Sequence, residues 1–262
     1  MVGAMAGRVA AITGGTDGIG KGIARAFLDA GASVSLSGRS SERGARVLAG
    51  LGVGERAQFV QADATDRSQA AEAIRACVAT YGTVDVLVNN VGGAASEFNL
   101  VHELSDEGWE SGLRVNLYST FWATREALAT MVARRWGRII NISSVEGKLA
   151  SLPAISPYVT SKHALHGFTK AVAVEYGELG ITCHAICPGA VETDTFVRNC
   201  EKLAITTGGT YDDVVQDFVK HSATKRLASV EQVAAVAVLM ASDAGANITG
   251  VAWSVDGGSA TS

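Results

Sequence analysis

The sequence predicts an α/β fold, a doubly wound parallel sheet of about seven strands with helices on both faces. Short apolar runs rich in β-branched residues alternate along the chain with longer stretches of helical period, which is the pattern of consecutive βαβ units. Several runs are apolar without interruption, as in Val86–Val88, which is typical of strands buried on both faces. The predicted strands are 8–13, 33–37, 57–61, 84–89, 137–143, 181–187 and 250–256.

Size and composition favour a single domain over residues 1–262. The chain is 47% hydrophobic and 18% charged, as expected for a well-packed globular unit, and no proline-rich, serine-rich or highly charged linker divides it. The least regular segment runs from about residue 193 to 229 and holds only a weak helical pattern. Long excursions in α/β folds often cover a binding site, so this segment is predicted to be a substrate lid.

Composition also limits the partners. No apolar run reaches the roughly 18 residues needed to cross a membrane, and the N-terminus lacks the pattern of a signal peptide. A net charge of −4 gives no support for nucleic-acid binding. The cysteines and histidines show no metal-ligand spacing, and the four cysteines form no C-x-x-C pair. We therefore expect a cytoplasmic protein with reduced thiols and no membrane, nucleic-acid or metal partner.

A glycine-rich loop, "TGGTDGIG", follows the first predicted strand and opens directly into a helix. In this position Gly14 permits a sharp turn, Gly18 lets backbone approach a pyrophosphate, and Gly20 lets the helix pack closely on the strand. The helix N-terminus then offers free N–H groups and a positive dipole end to the phosphates. The loop predicts a Rossmann-like dinucleotide site whose first binding residues are Gly14, Thr16, Asp17, Gly18, Ile19 and Gly20.

The end of the second strand indicates which dinucleotide is bound. An acidic residue there would bind the ribose 2′-hydroxyl of NAD, but no carboxylate is present from 34 to 41, and Gly38 stands where the acid would be. Arg39, flanked by Ser37 and Ser40, suits a 2′-phosphate, because guanidinium binds phosphate through charge-assisted, bidentate hydrogen bonds. These residues predict NADP(H), although Asp17 brings a negative charge into the same neighbourhood unless it caps the following helix.

The stretch "SPYVTSKHALHGFTK" places Tyr158 and Lys162 one helical turn apart on the same face. A ketone that receives hydride needs a hydrogen-bond donor for its oxygen and an acid to protonate it, and Ser144 and Tyr158 suit these roles. We expect the Lys162 charge to lower the pKa of the phenol. With Ser156 as N-cap and Pro157 as first helical residue, the helix dipole would act in the same direction. His163 and His166 of the same stretch are interpreted as packing or surface residues, and Cys183 and Cys187 as core residues.

Taken together, the motifs resemble the short-chain dehydrogenase/reductase family, in its single-domain branch, over essentially the whole chain. The segments that carry the resemblance are "TGGTDGIG", "QADATD", "NNVG" at 89–92, "RVNLYS", "NISS" at 141–144, "YVTSK" at 158–162, "CPGAVET" at 187–193 and "SVDGG". The resemblance implies a catalytic tetrad of Asn116, Ser144, Tyr158 and Lys162, in which Asn116 could hold a water that relays protons from Lys162. It also implies that Asn89 buttresses the sheet beside the cofactor and that Asp63 holds the adenine amino group. Further cofactor-binding residues implied in this way are Ala64, Asn90, Val91, Gly92, Tyr158, Lys162, Pro188, Gly189, Val191 and Thr193.

Two positions depart from the family pattern. Val91 stands where the family usually has alanine, which adds bulk near the cofactor ribose. The interval from Ser144 to Tyr158 is longer than the family's most common spacing by a single residue, which leaves Ser143 as a second candidate for the serine role.

The resemblance implies an oxidoreductase that transfers a hydride between NADP(H) and a ketone or secondary alcohol, with a β-keto or cyclic carbonyl substrate. The alternatives are an NAD-dependent secondary alcohol dehydrogenase and a dinucleotide-binding sensor without catalysis. An epimerase or dehydratase of nucleotide sugars is disfavoured by the glycine spacing and by the lack of a sizeable C-terminal substrate domain. The family further implies a homotetramer or homodimer built through two long helices and the last strand.

Overall fold

The computed structural model describes residues 3–94 and 97–260. Within these residues, parallel strands form one sheet in the order β3-β2-β1-β4-β5-β6-β7, and the predicted fold class is confirmed. The strands are β1 (Val9–Thr13), β2 (Ser33–Gly38), β3 (Ala57–Gln61), β4 (Val86–Asn89), β5 (Gly137–Ile142), β6 (Ile181–Pro188) and β7 (Ala252–Val255).

Helices cover both faces of the sheet. One hydrophobic core joins α1, α2 and α9 to the sheet, and a second core joins α3, α5 and α6 to its other face. The helices are α1 (Gly18–Asp29), α2 (Ser41–Leu51), α3 (Arg67–Tyr81), α4 (Asp106–Leu113), α5 (Ser119–Arg134), α6 (Ser156–Tyr176), α7 (Asp194–Thr207), α8 (Tyr211–Val219) and α9 (Val230–Ala241). In the described part of the chain, no helix is both long enough and apolar enough to span a membrane.

Strand β1 shows why uninterrupted apolar runs become central strands. Its residues are all buried, and they alternate between the two cores: Ala10 and Ile12 face one, while Val9 and Ala11 face the other. Because successive side chains of a strand point to opposite faces, a strand covered on both sides needs apolar residues at every position.

The candidate site lies where the strand order reverses. The chain builds outward from β1 to β2 and β3, and then returns to place β4 on the other side of β1. In sheets of this kind a crevice opens at the carboxyl ends of the strands beside the reversal point, and ligands bind there. The loops after β1, β2, β4, β5 and β6 therefore lie together at the carboxyl ends of the strands.

The segment 193–229 is more regular than its sequence suggested. Two helices, α7 and α8, occupy most of it. Each begins with a threonine N-cap, at Thr193 and Thr210, and Phe196 packs edge-on against Phe218 with ring centroids 5.1 Å apart. Both helices are amphipathic, but they are separated by the glycines at 208 and 209, and their buried residues form a small cluster apart from the two main cores.

Candidate active site

The glycine-rich loop is held against the loop that follows β4. Gly14 adopts φ +65°, a left-handed conformation that glycine reaches without strain. Asn90 donates through Nδ2 to the carbonyl oxygens of Thr13 and Gly14, at 3.1 and 3.0 Å. A Cβ at Gly20 would lie 2.5 Å from both Asn90 Nδ2 and Gly14 O, so only glycine allows α1 to start this close to the loop. Gly14 thus makes the turn of the loop, and Gly20 allows the close approach of α1 to Asn90 and to the loop backbone.

Asp17 is the N-cap of α1, and its two carboxylate oxygens have different partners. Oδ1 accepts the N–H of Gly18 at 2.8 Å. Oδ2 accepts the hydroxyl of Thr195 at 3.1 Å and lies 3.9 Å from the guanidinium of Arg198, both on α7. The negative charge in the glycine loop is thus directed to α7, and no ion pair between Asp17 and Arg39 occurs among the described residues.

The end of β2 presents a cation to solvent beside the loop. Arg39 is exposed, and its side chain takes part in none of the ion pairs found within residues 3–94 and 97–260. Ser40 caps α2 by accepting the N–H of Arg43 at 3.2 Å, while Ser37 is buried. A Cβ at Gly38 would meet Thr16 Oγ1 at 3.2 Å, so the small residue keeps the two loops close.

The remaining residues predicted to bind the cofactor lie at the same edge of the sheet. Asp63 stands after β3, where its Oδ1 accepts the N–H and hydroxyl of Thr65 at 2.9 and 2.8 Å, with Ala64 between them in the chain. Thr193 caps α7, and its methyl lies 3.1 Å from where a Cβ of Gly18 would be. The others are Ile19, packed against the first core; Val91, whose N–H donates to Thr13 Oγ1; Pro188, the last residue of β6; Gly189, whose N–H donates to Val255 O; and Val191, bridged to Ala228.

Gly92, Asn116 and Lys162 meet behind the loop that follows β4. A Cβ at Gly92 would lie 2.8 Å from Asn116 Oδ1 and 2.9 Å from Lys162 Nζ. Both polar groups therefore lie close to the Gly92 backbone, and a side chain at this position would displace them. Asn116 is fully buried in a π-helical turn, Arg114–Tyr118, between α4 and α5. It bonds to both backbone groups of Gly93: Oδ1 accepts the N–H and Nδ2 donates to the carbonyl, each at 3.0 Å.

Tyr158 lies in the first turn of α6, beside Ser144 and not beside Ser143. The Ser144 hydroxyl interacts with the phenol of Tyr158 and accepts the N–H of Glu146 at 3.1 Å. Ser143 Oγ instead faces His166 Nε2 at 2.9 Å and donates to Lys162 O at 3.3 Å. The extra residue between serine and tyrosine therefore leaves Ser144 in contact with the phenol.

Two expectations about Tyr158 are wrong. Ser156 is the first residue of α6 rather than its N-cap; Ile155 holds the cap position, with no side-chain cap hydrogen bond, and Ser156 Oγ is buried without a partner among the described atoms. The pKa of Tyr158 is raised rather than lowered, because burial outweighs the opposing Ser144 hydrogen bond and Glu146 adds a negative charge. Lys162 Nζ lies 5.5 Å from the ring centroid and donates to Ile142 O at 2.9 Å, and burial lowers its own pKa to about 8.

Asn89 supports the sheet beneath this cluster. Its Nδ2 donates to Thr124 Oγ1 on α5 and to Asn141 Oδ1 on β5, both at 2.9 Å. Asn141 in turn donates to Thr169 Oγ1 on α6 at 2.9 Å. This chain of hydrogen bonds crosses β4 and β5 and joins α5 to α6, the helix that carries Tyr158.

Two residues of the site were not found from the sequence. His166 was interpreted as a packing or surface residue, yet its Nε2 bridges Ser143 Oγ and Cys187 Sγ, at 2.9 and 3.3 Å. Its position one turn after Lys162 on the same helix face is the signal that could have found it. Glu146 follows Ser144 by two residues, and its charge acts on Tyr158. Within residues 3–94 and 97–260, no group of three or more potential metal ligands occurs.

Fold and crevice together define an α/β dinucleotide-binding protein. The short chain dehydrogenase family model matches residues 8–204, and the chain belongs to this family. It is 39% identical over 256 residues to D-beta-hydroxybutyrate dehydrogenase of Rhizobium meliloti (strain 1021), which covers 96% of this chain and 98% of the relative. It is 32% identical over 255 residues to the 3-oxoacyl-acyl-carrier-protein reductase of Chlamydia muridarum (strain MoPn / Nigg), covering 97% of each.

A solved structure shares the whole fold. A variant of actinorhodin polyketide ketoreductase with NADPH superposes with a TM-score of 0.90 at 32% identity, and the match covers 100% of both chains. The protein is therefore a short-chain dehydrogenase/reductase, an oxidoreductase of hydroxyl or ketone substrates that uses a nicotinamide dinucleotide.

Proposed function

We propose that this enzyme interconverts a β-keto or cyclic carbonyl compound and its secondary alcohol with NADP(H), using Tyr158 as the acid and base. The observation that carries the proposal is the meeting of Ser144, Tyr158 and Lys162 at the carboxyl edge of the sheet, next to the close approach at Gly92. A hydroxyl donor, a phenol and an ammonium group in one crevice are what proton transfer to a carbonyl oxygen requires.

The residues present fit a nicotinamide dinucleotide. Glycines at positions 14, 18, 20 and 38 allow the loops after β1 and β2 to pack closely on their neighbours, which leaves room for a ligand in the crevice. The N-terminus of α1 points its N–H groups toward this crevice. Exposed Arg39 favours the 2′-phosphate of NADP(H), and the Asp17 charge is engaged by α7. When bound, the dinucleotide supplies or accepts the hydride.

Side chains of the protein transfer the proton. Ser144 donates a hydrogen bond to the substrate oxygen and holds it against the phenol. Tyr158 gives its proton to that oxygen in the reductive direction, and its raised pKa keeps the phenol protonated at neutral pH. Burial lowers the pKa of Lys162 only to about 8, so its ammonium form predominates at neutral pH and can return the proton to the phenolate. Asn116 lies beside it at Gly92.

The relatives support a carbonyl reductase with a β-keto or cyclic substrate. Two of these relatives act on an oxygen function at the β-carbon, in β-hydroxybutyrate and in 3-oxoacyl groups, and the third is a polyketide ketoreductase. The 193–229 segment, in which α7 contacts the glycine loop through Asp17, is proposed as the lid over this substrate.

We further propose that the enzyme assembles as a homotetramer or homodimer. Phe121 on α5 is 42% exposed and Val174 on α6 is 84% exposed, and Trp253 is 41% exposed on β7, at the edge of the sheet. Apolar side chains at a sheet edge and on long helices are well suited to contacts between copies.

The function is tested by removing the phenol hydroxyl alone. Tyr158→Phe keeps the ring and its packing but removes the proton donor, so we expect a loss of at least about 100-fold in kcat with a wild-type dissociation constant for NADPH. NADPH consumption with methyl acetoacetate and cyclic ketones measures the first, and quenching of protein fluorescence by NADPH the second. Turnover close to wild type in Tyr158→Phe would remove Tyr158 from the mechanism.

A further inference from the structure

A buried carboxylate lies directly behind the candidate serine. Glu146 belongs to the short 3₁₀ turn Val145–Gly147 and is 6% exposed. Its backbone N–H donates to Ser144 Oγ at 3.1 Å. This hydrogen bond fixes the turn relative to the catalytic cluster, so the Glu146 side chain has a defined place beside it.

The carboxylate has hydrogen-bond donors but no cationic partner. Ser151 supplies the donors, its N–H to Oε2 at 3.0 Å and its hydroxyl to Oε1. Across residues 3–94 and 97–260, none of the ion pairs includes Glu146. The charge of nearby Lys148 acts on Cys187 and His166. Both hydrogen-bond donors belong to a neutral residue, so neither brings a positive charge to the carboxylate.

The turn that carries this carboxylate borders the place where chemistry would occur. Ser144 Oγ accepts the backbone N–H of Glu146 and also interacts with Tyr158. The negative charge of Glu146 raises the pKa of the Tyr158 phenol, as burial does. Charges in a buried crevice interact far more strongly than in water, because little solvent screens them. A second negative charge on a bound substrate would therefore be repelled.

Resting on the proposed function, we propose that Glu146 is a specificity-determining residue that excludes free keto acids and admits neutral carbonyl compounds. A β-keto acid carries its carboxylate two bonds from the reacting carbon, so a keto acid whose ketone oxygen binds at Ser144 would bring a second negative charge into the crevice that Glu146 borders. The corresponding ester or thioester has the same skeleton without the charge. The substrate class is then an esterified or thioesterified β-keto compound, or a neutral cyclic ketone.

The test compares acetoacetate with methyl acetoacetate, which differ in charge but little in size. Wild-type enzyme should reduce the ester with a much higher kcat/KM than the anion. Glu146→Gln keeps the shape of the side chain and removes its charge, so the ratio of the two kcat/KM values should fall by about tenfold or more. Using the ratio cancels any general effect of the substitution on catalysis.

Ser151→Ala is the matched control, because it removes a hydrogen bond of Glu146 and keeps the charge. If Glu146 only holds the turn in shape, both variants will change the two substrates by the same factor and the ester-to-acid ratio will stay at the wild-type value. That result would overturn the inference.

A failure of the proposed function has a different signature. If neither compound is reduced, the reductase assignment is wrong. The effect of Glu146 is then tested by measuring the affinity of acetoacetate for the complex of the enzyme with NADPH. Acetoacetate should then bind Glu146→Gln about tenfold or more tightly than wild type, measured by NADPH fluorescence. Equal affinities would contradict the inference without reference to turnover.

Discussion

Arg39 is the residue on which cofactor choice depends. It is exposed at the end of β2, and residues 34–41 contain no carboxylate to bind a ribose hydroxyl. Arg39→Ala should weaken NADPH binding by about 10- to 100-fold, since a charge-assisted hydrogen bond is lost, and should change NADH binding little. Fluorescence titration with both dinucleotides measures this.

Arg46, exposed on α2 and paired with Glu42, gives the matched control. Arg46→Ala removes the same charge from a position further along the helix and should leave the NADPH preference intact. An equal loss of NADPH and NADH affinity in Arg39→Ala would show that Arg39 does not bind the 2′-phosphate.

His166 makes stability depend on pH. Burial lowers its pKa to about 4, and the cations His163, Lys148, Lys170 and Lys162 act in the same direction. The unfolded chain protonates near the ordinary value of about 6.5, so it gains protons before the folded state does, and stability falls as pH drops from about 6.5 to about 4. The neutral ring is the form that bridges Ser143 and Cys187.

We expect the free energy of unfolding to fall less in His166→Gln than in wild type between pH 7 and pH 5, by up to about 2 kcal/mol. Urea unfolding at the two pH values measures the difference. Exposed His221 is the control, because it is not among the groups that act on His166, and His221→Gln should keep the wild-type dependence. A His166→Gln protein with the wild-type pH dependence would contradict the assignment.

At the scale of elements, the start of α6 differs from the usual helix start. Ile155 caps it without a side-chain hydrogen bond, and the buried Ser156 Oγ has no partner among the described atoms. An N-cap serine replaced by alanine costs about 1 kcal/mol, whereas removal of an unsatisfied buried hydroxyl costs little or stabilises. Ser156→Ala should therefore leave the free energy of unfolding unchanged or raise it by up to about 1 kcal/mol.

Ser229 provides the comparison, because it is a true N-cap that forms a capping box with Gln232 at the start of α9. Ser229→Ala should lose about 1 kcal/mol in urea unfolding. If Ser156→Ala loses as much, the helix begins as the sequence suggested.

The elements show what a sequence can and cannot reveal. Strands such as β1 and β4 were predicted because burial on both faces forces an uninterrupted apolar run. The glycine loop and the Tyr158–Lys162 pair were predicted because their spacing is local. The π-helical turn that buries Asn116 has no sequence signal. Helices α7 and α8 are amphipathic, but their buried residues form a small cluster apart from the two main cores. Glu146 lies near Tyr158 only in the folded chain, and no local sequence pattern predicts that proximity.

At the scale of the whole molecule, we expect assembly through α6. Val174 is 84% exposed, and Val174→Glu would place a charge in any contact made there, so the molar mass from light scattering should fall below that of wild type. Ile205 on α7 is equally apolar and 82% exposed but lies away from the long helices, and Ile205→Glu should keep the wild-type mass. A wild-type protein that is already monomeric would contradict the proposed assembly.

The two-sided bonding of Asp17 links the opening of the crevice to its charge. One carboxylate oxygen belongs to α1 and the other to α7, through Thr195 and Arg198. We expect Oδ2 to lose both partners if α7 moves away, which would leave an unpaired negative charge beside the site proposed for the dinucleotide phosphates. Displacement of α7 should then weaken dinucleotide binding, and by reciprocity dinucleotide binding should favour the position of α7 that pairs with Asp17. The carboxylate that caps α1 would thus couple the position of α7 to the affinity of the crevice for an anion.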